Sequence, residues 1–212
     1  MISGDKNYNG VIDDLVNGSW ISPSDNKKYG IPIKNIEIRE TLDGREYELI
    51  ESLHSNQKLL VVSDPFTHKA MGSRIFNNLK TKMNAEEYIW EQPSSSIEGV
   101  QFLRTKLKDY DGMIAVGSGT VSDSIKYATF LEDKVYSVFA TTPMNAYTTG
   151  TASISFDGIK KSLVAHYAQG VFFDLEVLSN CPKRLTAAAF ADVICRTTAQ
   201  VDWLMSHKLL NT

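Results

Sequence analysis

The stretch GMIAVGSGTVSDSIK, residues 112–126, carries a buried-strand run into a glycine turn and then into a helix. Gly112, Met113, Ile114, Ala115 and Val116 include no charge, as a strand covered on both faces requires. The residues that follow, Gly117, Ser118, Gly119, Thr120 and Val121, form the turn into the helix. Glycines let a backbone come close to an anion, and the open N–H groups and partial positive charge of a helix start attract a pyrophosphate. A tight strand-to-helix turn capped by Thr120 is the competing, purely structural reading of the same residues.

The alternation extends in both directions. Upstream, residues 33–38 alternate as a strand, 47–53 read as helix, 58–64 (KLLVVSD) form a buried strand ending in Asp64, and a helix is expected over 68–80. A short strand at 87–90 and a helix at 96–107, opened by serines able to cap it, lead up to the glycine turn. Downstream come a helix at 121–130, a strand at 134–140, a threonine-rich loop, a hairpin through 162–164 and 170–174, and a long helix over 185–209. Strands alternating with helices imply an α/β, Rossmann-like fold: a mostly parallel sheet with helices on both faces and ligands at the carboxyl ends of its strands. Three segments are expected: an N-terminal arm (1–30), a nucleotide-binding α/β domain (31–180) and the start of an all-helical C-terminal domain, truncated here (181–212). That last helix is apolar on nearly every side, so it expects neighbours, and a homo-oligomer is one way to supply them.

Composition narrows the partners. With 42% hydrophobic and 22% charged residues the chain can bury a sizeable core, and a net charge of −3 gives no field for nucleic acid or an anionic membrane. Residues 1–10 do not read as a signal peptide, and no stretch reaches the roughly 18 apolar residues of a membrane span. Cys181 and Cys195 lack the paired spacing of a zinc module and are read as reduced thiols of a cytoplasmic protein. His54, His68, His166 and His207 form no HxxxH or HExxH pattern, and GxSxG, Walker and CxxC motifs are absent. A small-molecule or protein partner is expected.

Two carboxylates stand out. Asp64 ends a buried strand, where an acidic side chain can accept from a ribose hydroxyl or cap a helix beginning at Pro65. In the first role it disfavours a 2′-phosphate and so favours NAD over NADP. Asp192 is the one charge in the apolar run 185–195 and needs a cationic partner, either Arg196 four residues on or a metal.

Together these pieces resemble the sn-glycerol-1-phosphate dehydrogenase family, within the larger group of iron-containing alcohol dehydrogenases, glycerol dehydrogenases and dehydroquinate synthases. The family's GGGTxxDxxK signature is similar to GSGTVSDSIK at 117–126, and its substrate and nicotinamide loop to FATTPMNAYTTGTAS at 139–153. Residues 158–174 and 185–207 resemble its hairpin and its metal-aspartate helix.

The resemblance implies NAD or NADP as cofactor, a divalent metal (nickel, zinc or iron), and a phosphorylated polyol substrate interconverted with dihydroxyacetone phosphate. It implies Asp64 on the adenosine ribose, Gly117, Ser118, Gly119, Thr120 and Val121 on the pyrophosphate, and Thr141, Thr142, Thr149 and Thr151 along the path to the nicotinamide. Asn145 would meet substrate, Lys160 and Lys161 its phosphate, and Asp192 the metal, which acts as a Lewis acid on the substrate oxygen. Residues 181–212 then open a metal-binding domain whose two histidine ligands the chain does not reach. Departures from the pattern are Ser118 for a glycine, Pro143 for a serine, Asn145 for an aspartate and Ala191 for a glycine. A dehydroquinate-synthase-like lyase and a truncated nucleotide-binding pseudoenzyme are the alternatives.

Overall fold

The computed structural model describes residues 8–211; residues 1–7 of the expected N-terminal arm and Thr212 lie outside the described residues. The rest of the arm is a helix, α1 (Tyr8–Val16), and a two-stranded antiparallel ribbon, β1 (Trp20–Ile21) with β2 (Lys28–Tyr29). The body then alternates as β3 (Asn35–Arg39), α2 (Glu46–His54), β4 (Leu59–Ser63), α3 (Pro65–Thr67), a π turn (His68–Gly72) and α4 (Ser73–Leu79). It continues through β5 (Ala85–Ile89), α5 (Ile97–Leu107), β6 (Gly112–Gly117), α6 (Gly119–Leu131) and β7 (Val135–Ala140). A 3-10 turn (Ala146–Thr148), β8 (Thr151–Phe156), β9 (Ile159–Val164), β10 (Gly170–Asp174), α7 (Leu175–Ser179) and α8 (Lys183–Leu210) complete the chain.

Six strands form one sheet in the order β3-β10-β7-β6-β4-β5, with every neighbouring pair parallel. Its two faces follow from period-two alternation. Leu60, Val62, Met113, Ala115 and Val138 pack on Val100 and Leu103 of α5 and on Val121 and Ile125 of α6. Leu59, Val61, Ile114, Val116 and Phe139 pack on Ile50 of α2 and on Met71, Ile75 and Leu79 of the π turn and α4. Both faces are thereby covered, which is why β4 and β6 are buried from end to end.

One strand assignment needs correcting. Residues 170–174 are not the second arm of a hairpin: β10 enters the main sheet between β3 and β7, while β9 pairs with β8. The hairpin turn is Asp157-Gly158, both with positive φ (49° and 80°), the backbone that an Asp-Gly pair in a two-residue turn adopts. The buried pattern of β10 suits a central strand, which the outer arm of a solvent-facing hairpin would not show.

His54 is fully buried, its Nε2 2.7 Å from Ser137 Oγ and its Nδ1 2.8 Å from Gln57 Oε1. Burial pushes its pKa below the ordinary 6.5. Between that lowered value and 6.5 the unfolded chain binds more protons than the folded one, so stability falls as pH drops through this window. In His54→Gln, melting-temperature loss between pH 7.5 and 5.5 should be smaller than in the parent; an unchanged acid slope would show that His54 is not its source.

α8 is the exception to compactness. Of its 28 residues only Ala189 is buried, and Phe190, Trp203 and Leu209 stand 67%, 74% and 79% exposed. Among the described residues no helix is long and apolar enough to cross a membrane.

Candidate functional site

The strand order places a topological switch between β4 and β6. The chain leaves β4 toward β5 on one side, then returns through α5 to build β6 and β7 on the other. The connections diverge there, opening a crevice at the carboxyl ends where doubly wound sheets take their ligands. Ser63 pairs with Val116, so Asp64 and Gly117 are the next residues at the same level on either side of the crevice. A cleft of about 760 Å³ opens at this point, lined by Asp64, Glu91, Ser118, Thr141 and Thr142 and running on past Thr41, Arg74 and Cys181.

Ser118, not Thr120, holds the N-cap position, and its side chain makes no capping hydrogen bond. Ser122 N–H is the first in α6 to bond back, to Ser118 O at 3.0 Å, so the N–H groups of Gly119, Thr120 and Val121 receive no cap from the Ser118 side chain. By contrast α5 is closed by Ser96, whose Oγ accepts from Gly99 N–H at 3.2 Å. Gly117 is needed for close packing, since a Cβ there would lie 2.7 Å from Val121 Cβ. Its carbonyl accepts from the Tyr147 hydroxyl at 3.0 Å, and burial pushes that phenol up to about 12, so it stays a donor.

Asp64 caps the helix that starts at Pro65. Its Oδ1 accepts from Phe66 N–H (2.8 Å) and Thr67 N–H (2.9 Å), while its own N–H donates to Thr67 Oγ1 (2.9 Å). All of these side-chain bonds use one carboxylate oxygen, leaving Oδ2 for the cleft. The cap therefore fixes the carboxylate rather than consuming it.

The predicted threonines divide. Thr141 and Thr142 line the cleft. Thr142 Oγ1 is paired with the Tyr147 hydroxyl at 2.7 Å, but Thr141, 7% exposed, has an Oγ1 with no hydrogen-bond partner. Such a buried hydroxyl costs about 1–3 kcal/mol until something bonds to it. Thr149 and Thr151 lie instead around a buried lysine that the sequence reading left without a role. Lys126 Nζ donates to Ala146 O (2.8 Å) and Thr151 O (2.9 Å), and lies 3.3 Å from Thr149 Oγ1 and 3.4 Å from Asp123 Oδ1. Asp123 Oδ2 accepts from Ser153 N–H at 3.2 Å. Burial pulls the lysine below and the aspartate above their ordinary values, opposed by the attraction between them. The DxxK half of the signature thus straps the 3-10 turn and the start of β8 to α6.

Asn145 and Asp192, 47 residues apart, are brought together: Asn145 Nδ2 donates to Asp192 Oδ2 at 3.1 Å. Arg196 Nη2 stands 3.8 Å from the same oxygen, so the ion pair weighed for Asp192 is present. Among the described residues no three His, Cys, Asp or Glu side chains gather as a metal site. One carboxylate beside an amide and a guanidinium does not fit a catalytic metal, which needs about three protein ligands. Lys160 and Lys161 sit on exposed β9, away from the cleft lining, with Lys161 Nζ 5.4 Å from the Phe156 ring centroid.

Comparison with known proteins agrees with this geometry. The family described as iron-containing alcohol dehydrogenase matches residues 37–182. A glycerol-1-phosphate dehydrogenase (NAD(P)+) of Bacillus subtilis (strain 168) is 29% identical over 164 residues, 73% of this chain and 41% of the relative. A Pyrococcus horikoshii protein of the same name is 31% identical, over 76% of this chain and 47% of the relative. The chain thus spans less than half the length of both these relatives. Among solved structures, a glycerol dehydrogenase from Schizosaccharomyces pombe has a TM-score of 0.64 at 19% identity, covering 72% of this chain and 40% of that one. An NADH-dependent butanol dehydrogenase from Thermotoga maritima has a TM-score of 0.65 at 17% identity, covering 76% of this chain and 47% of that one. With the glycine turn, the switch-point crevice and the match over 37–182 in agreement, the chain belongs to the iron-containing alcohol dehydrogenase family.

Proposed function

We propose that this chain binds a nicotinamide dinucleotide in the switch-point cleft, as part of an oxidoreductase that interconverts sn-glycerol 1-phosphate and dihydroxyacetone phosphate. The observation that carries the first half is the start of α6, uncapped by Ser118 and facing Asp64 across the crevice. The pyrophosphate lies on the N–H groups of Gly119, Thr120 and Val121, and the adenosine ribose hydroxyls donate to Asp64. The orphan Thr141 Oγ1 supplies a further hydrogen bond toward the nicotinamide. Thr142, held by Tyr147, and Thr149 and Thr151, held by Lys126, keep that wall in place.

The substrate half rests on the names of the relatives and on the Asn145–Asp192 contact. Hydride passes between the substrate carbon and the nicotinamide ring, with one proton taken up or released. Asn145 is assigned to the substrate oxygen, with Asp192, its hydrogen-bond partner, beside it. Lys160 and Lys161, on β9, are both carried over as candidates for the substrate phosphate. Among the described residues no group of side chains makes a site for a metal.

The cleft also discriminates between cofactors. Asp64, Glu91, Asp43 and Glu176 line it, and among the described residues its one lining cation, Arg74, is engaged by Glu46 and Asp174. A 2′-phosphate beside Asp64 meets like charge, an arrangement that costs several kcal/mol when unscreened. Calorimetric titration should give micromolar binding of NADH and at least about tenfold weaker binding of NADPH, equivalent to about 1.4 kcal/mol. Equal affinities would remove the cofactor preference, and binding of neither to folded protein would remove the nucleotide reading.

A further inference from the structure

The two cysteines occupy different surroundings. Cys195 is exposed on α8 and lies outside the cleft lining, whereas Cys181 is half-buried and lines the cleft with Ser118 and Thr142. The backbone around Cys181 is pinned: its N–H donates to Leu178 O at 3.1 Å at the end of α7, and Pro182 follows directly, with Sγ 3.8 Å from the Pro182 carbonyl. The same cleft is lined by Thr141, which is 7% exposed and whose Oγ1 has no hydrogen-bond partner. Cys181 thus lines the cleft in which the nucleotide is proposed to bind.

We propose that Cys181 is a thiol-modification site whose occupancy and nucleotide binding exclude each other. This rests on the cleft being the nucleotide site. The modifying reagent is a low-molecular-weight disulfide. The Cys181 thiol, having given up its proton, attacks one sulfur of the reagent; a new Sγ–S bond forms, the reagent's S–S bond breaks, and the departing thiolate takes up a proton. The added group occupies volume of the cleft that Cys181 lines, and reduction by a free thiol reverses the exchange. Oxidising conditions thus close the cleft and reducing conditions reopen it, with no movement of the sheet required.

The chain is treated with iodoacetamide, with and without saturating NADH, and each cysteine is followed separately by mass spectrometry. NADH should slow labelling of Cys181 at least tenfold and leave Cys195 unchanged. Cys195→Ser, which leaves Cys181 as the one thiol, is then equilibrated with oxidised glutathione. It should lose NADH affinity at least tenfold in calorimetry and regain it on adding dithiothreitol. If NADH binds but Cys181 labels at the same rate, or if the glutathione-treated variant binds as before, the modification site is overturned while the nucleotide reading stands. If the unmodified, folded chain binds no NADH, both fall.

Discussion

Gly119→Val should weaken NADH binding by about 100-fold or more while leaving the fold intact. A Cβ at Gly119 would meet Met144 Sδ at 3.6 Å and Cε at 3.9 Å, ordinary contacts with the far end of a flexible side chain. The valine methyls, however, stand at the first position of α6, over the N–H groups assigned to the pyrophosphate. Hydrogen bonds to a charged group contribute about 1.5–3 kcal/mol each, so losing two weakens binding by about 100-fold or more. Gly117→Ala behaves in the opposite way: its Cβ would overlap Val121 Cβ, so the cost falls on stability, about 1–3 kcal/mol of overpacking. Calorimetry and thermal melting of the two variants separate these roles. Unchanged NADH affinity in Gly119→Val would show that the start of α6 does not hold the cofactor.

Arg74→Met should be the most destabilising of the changes considered. Its guanidinium binds Glu46 Oε1 at 2.7 Å and Asp174 Oδ2 at 2.6 Å, and both carboxylates are fully buried. Asp174 also accepts from Leu42 N–H at 3.0 Å and Val177 N–H at 3.1 Å. Burial works to raise its pKa, but these donors together with Arg74 outweigh it and hold the carboxyl below its ordinary range. Glu46 also accepts from Asn78 Nδ2 at 3.0 Å, yet burial is the largest influence on it and pushes it up. Removing the arginine leaves two buried carboxylates facing each other without a cation, a loss of about 3–5 kcal/mol. For a chain of this size that lowers the melting temperature by about 10 °C or more. The deficit should narrow below neutral pH as Glu46 takes up a proton; a melting temperature within about 2 °C of the parent would mean that Arg74 is peripheral.

How far the sequence could be read depended on whether the deciding contacts were local. β4, β6 and β7 announce themselves as uncharged runs because both faces of each are covered, and the crevice between β4 and β6 follows from the order of elements. Asp157-Gly158 carries a hairpin signal, yet the threonine-rich stretch ahead of it reads as loop, so β8 was missed and β10 paired wrongly. The position of Ser118 as an uncapped N-cap depends on backbone angles that no residue type dictates. Arg74 was invisible because its partners lie 28 and 100 residues away. Lys126 was quoted within the signature, but its clamp on Ala146 and Thr151 exists only once the 3-10 turn folds back over α6. Asp192 shows the limit from the other side: helical spacing suggested Arg196, whereas Asn145 arrives from a different element.

Whether the crevice between β4 and β6 holds the dinucleotide is decided by a crystal structure of the chain grown with NADH. The predicted result is pyrophosphate density at the N–H groups of Gly119, Thr120 and Val121, with an adenosine ribose hydroxyl bonded to Asp64. Nucleotide bound elsewhere, with this crevice holding only solvent, would contradict it.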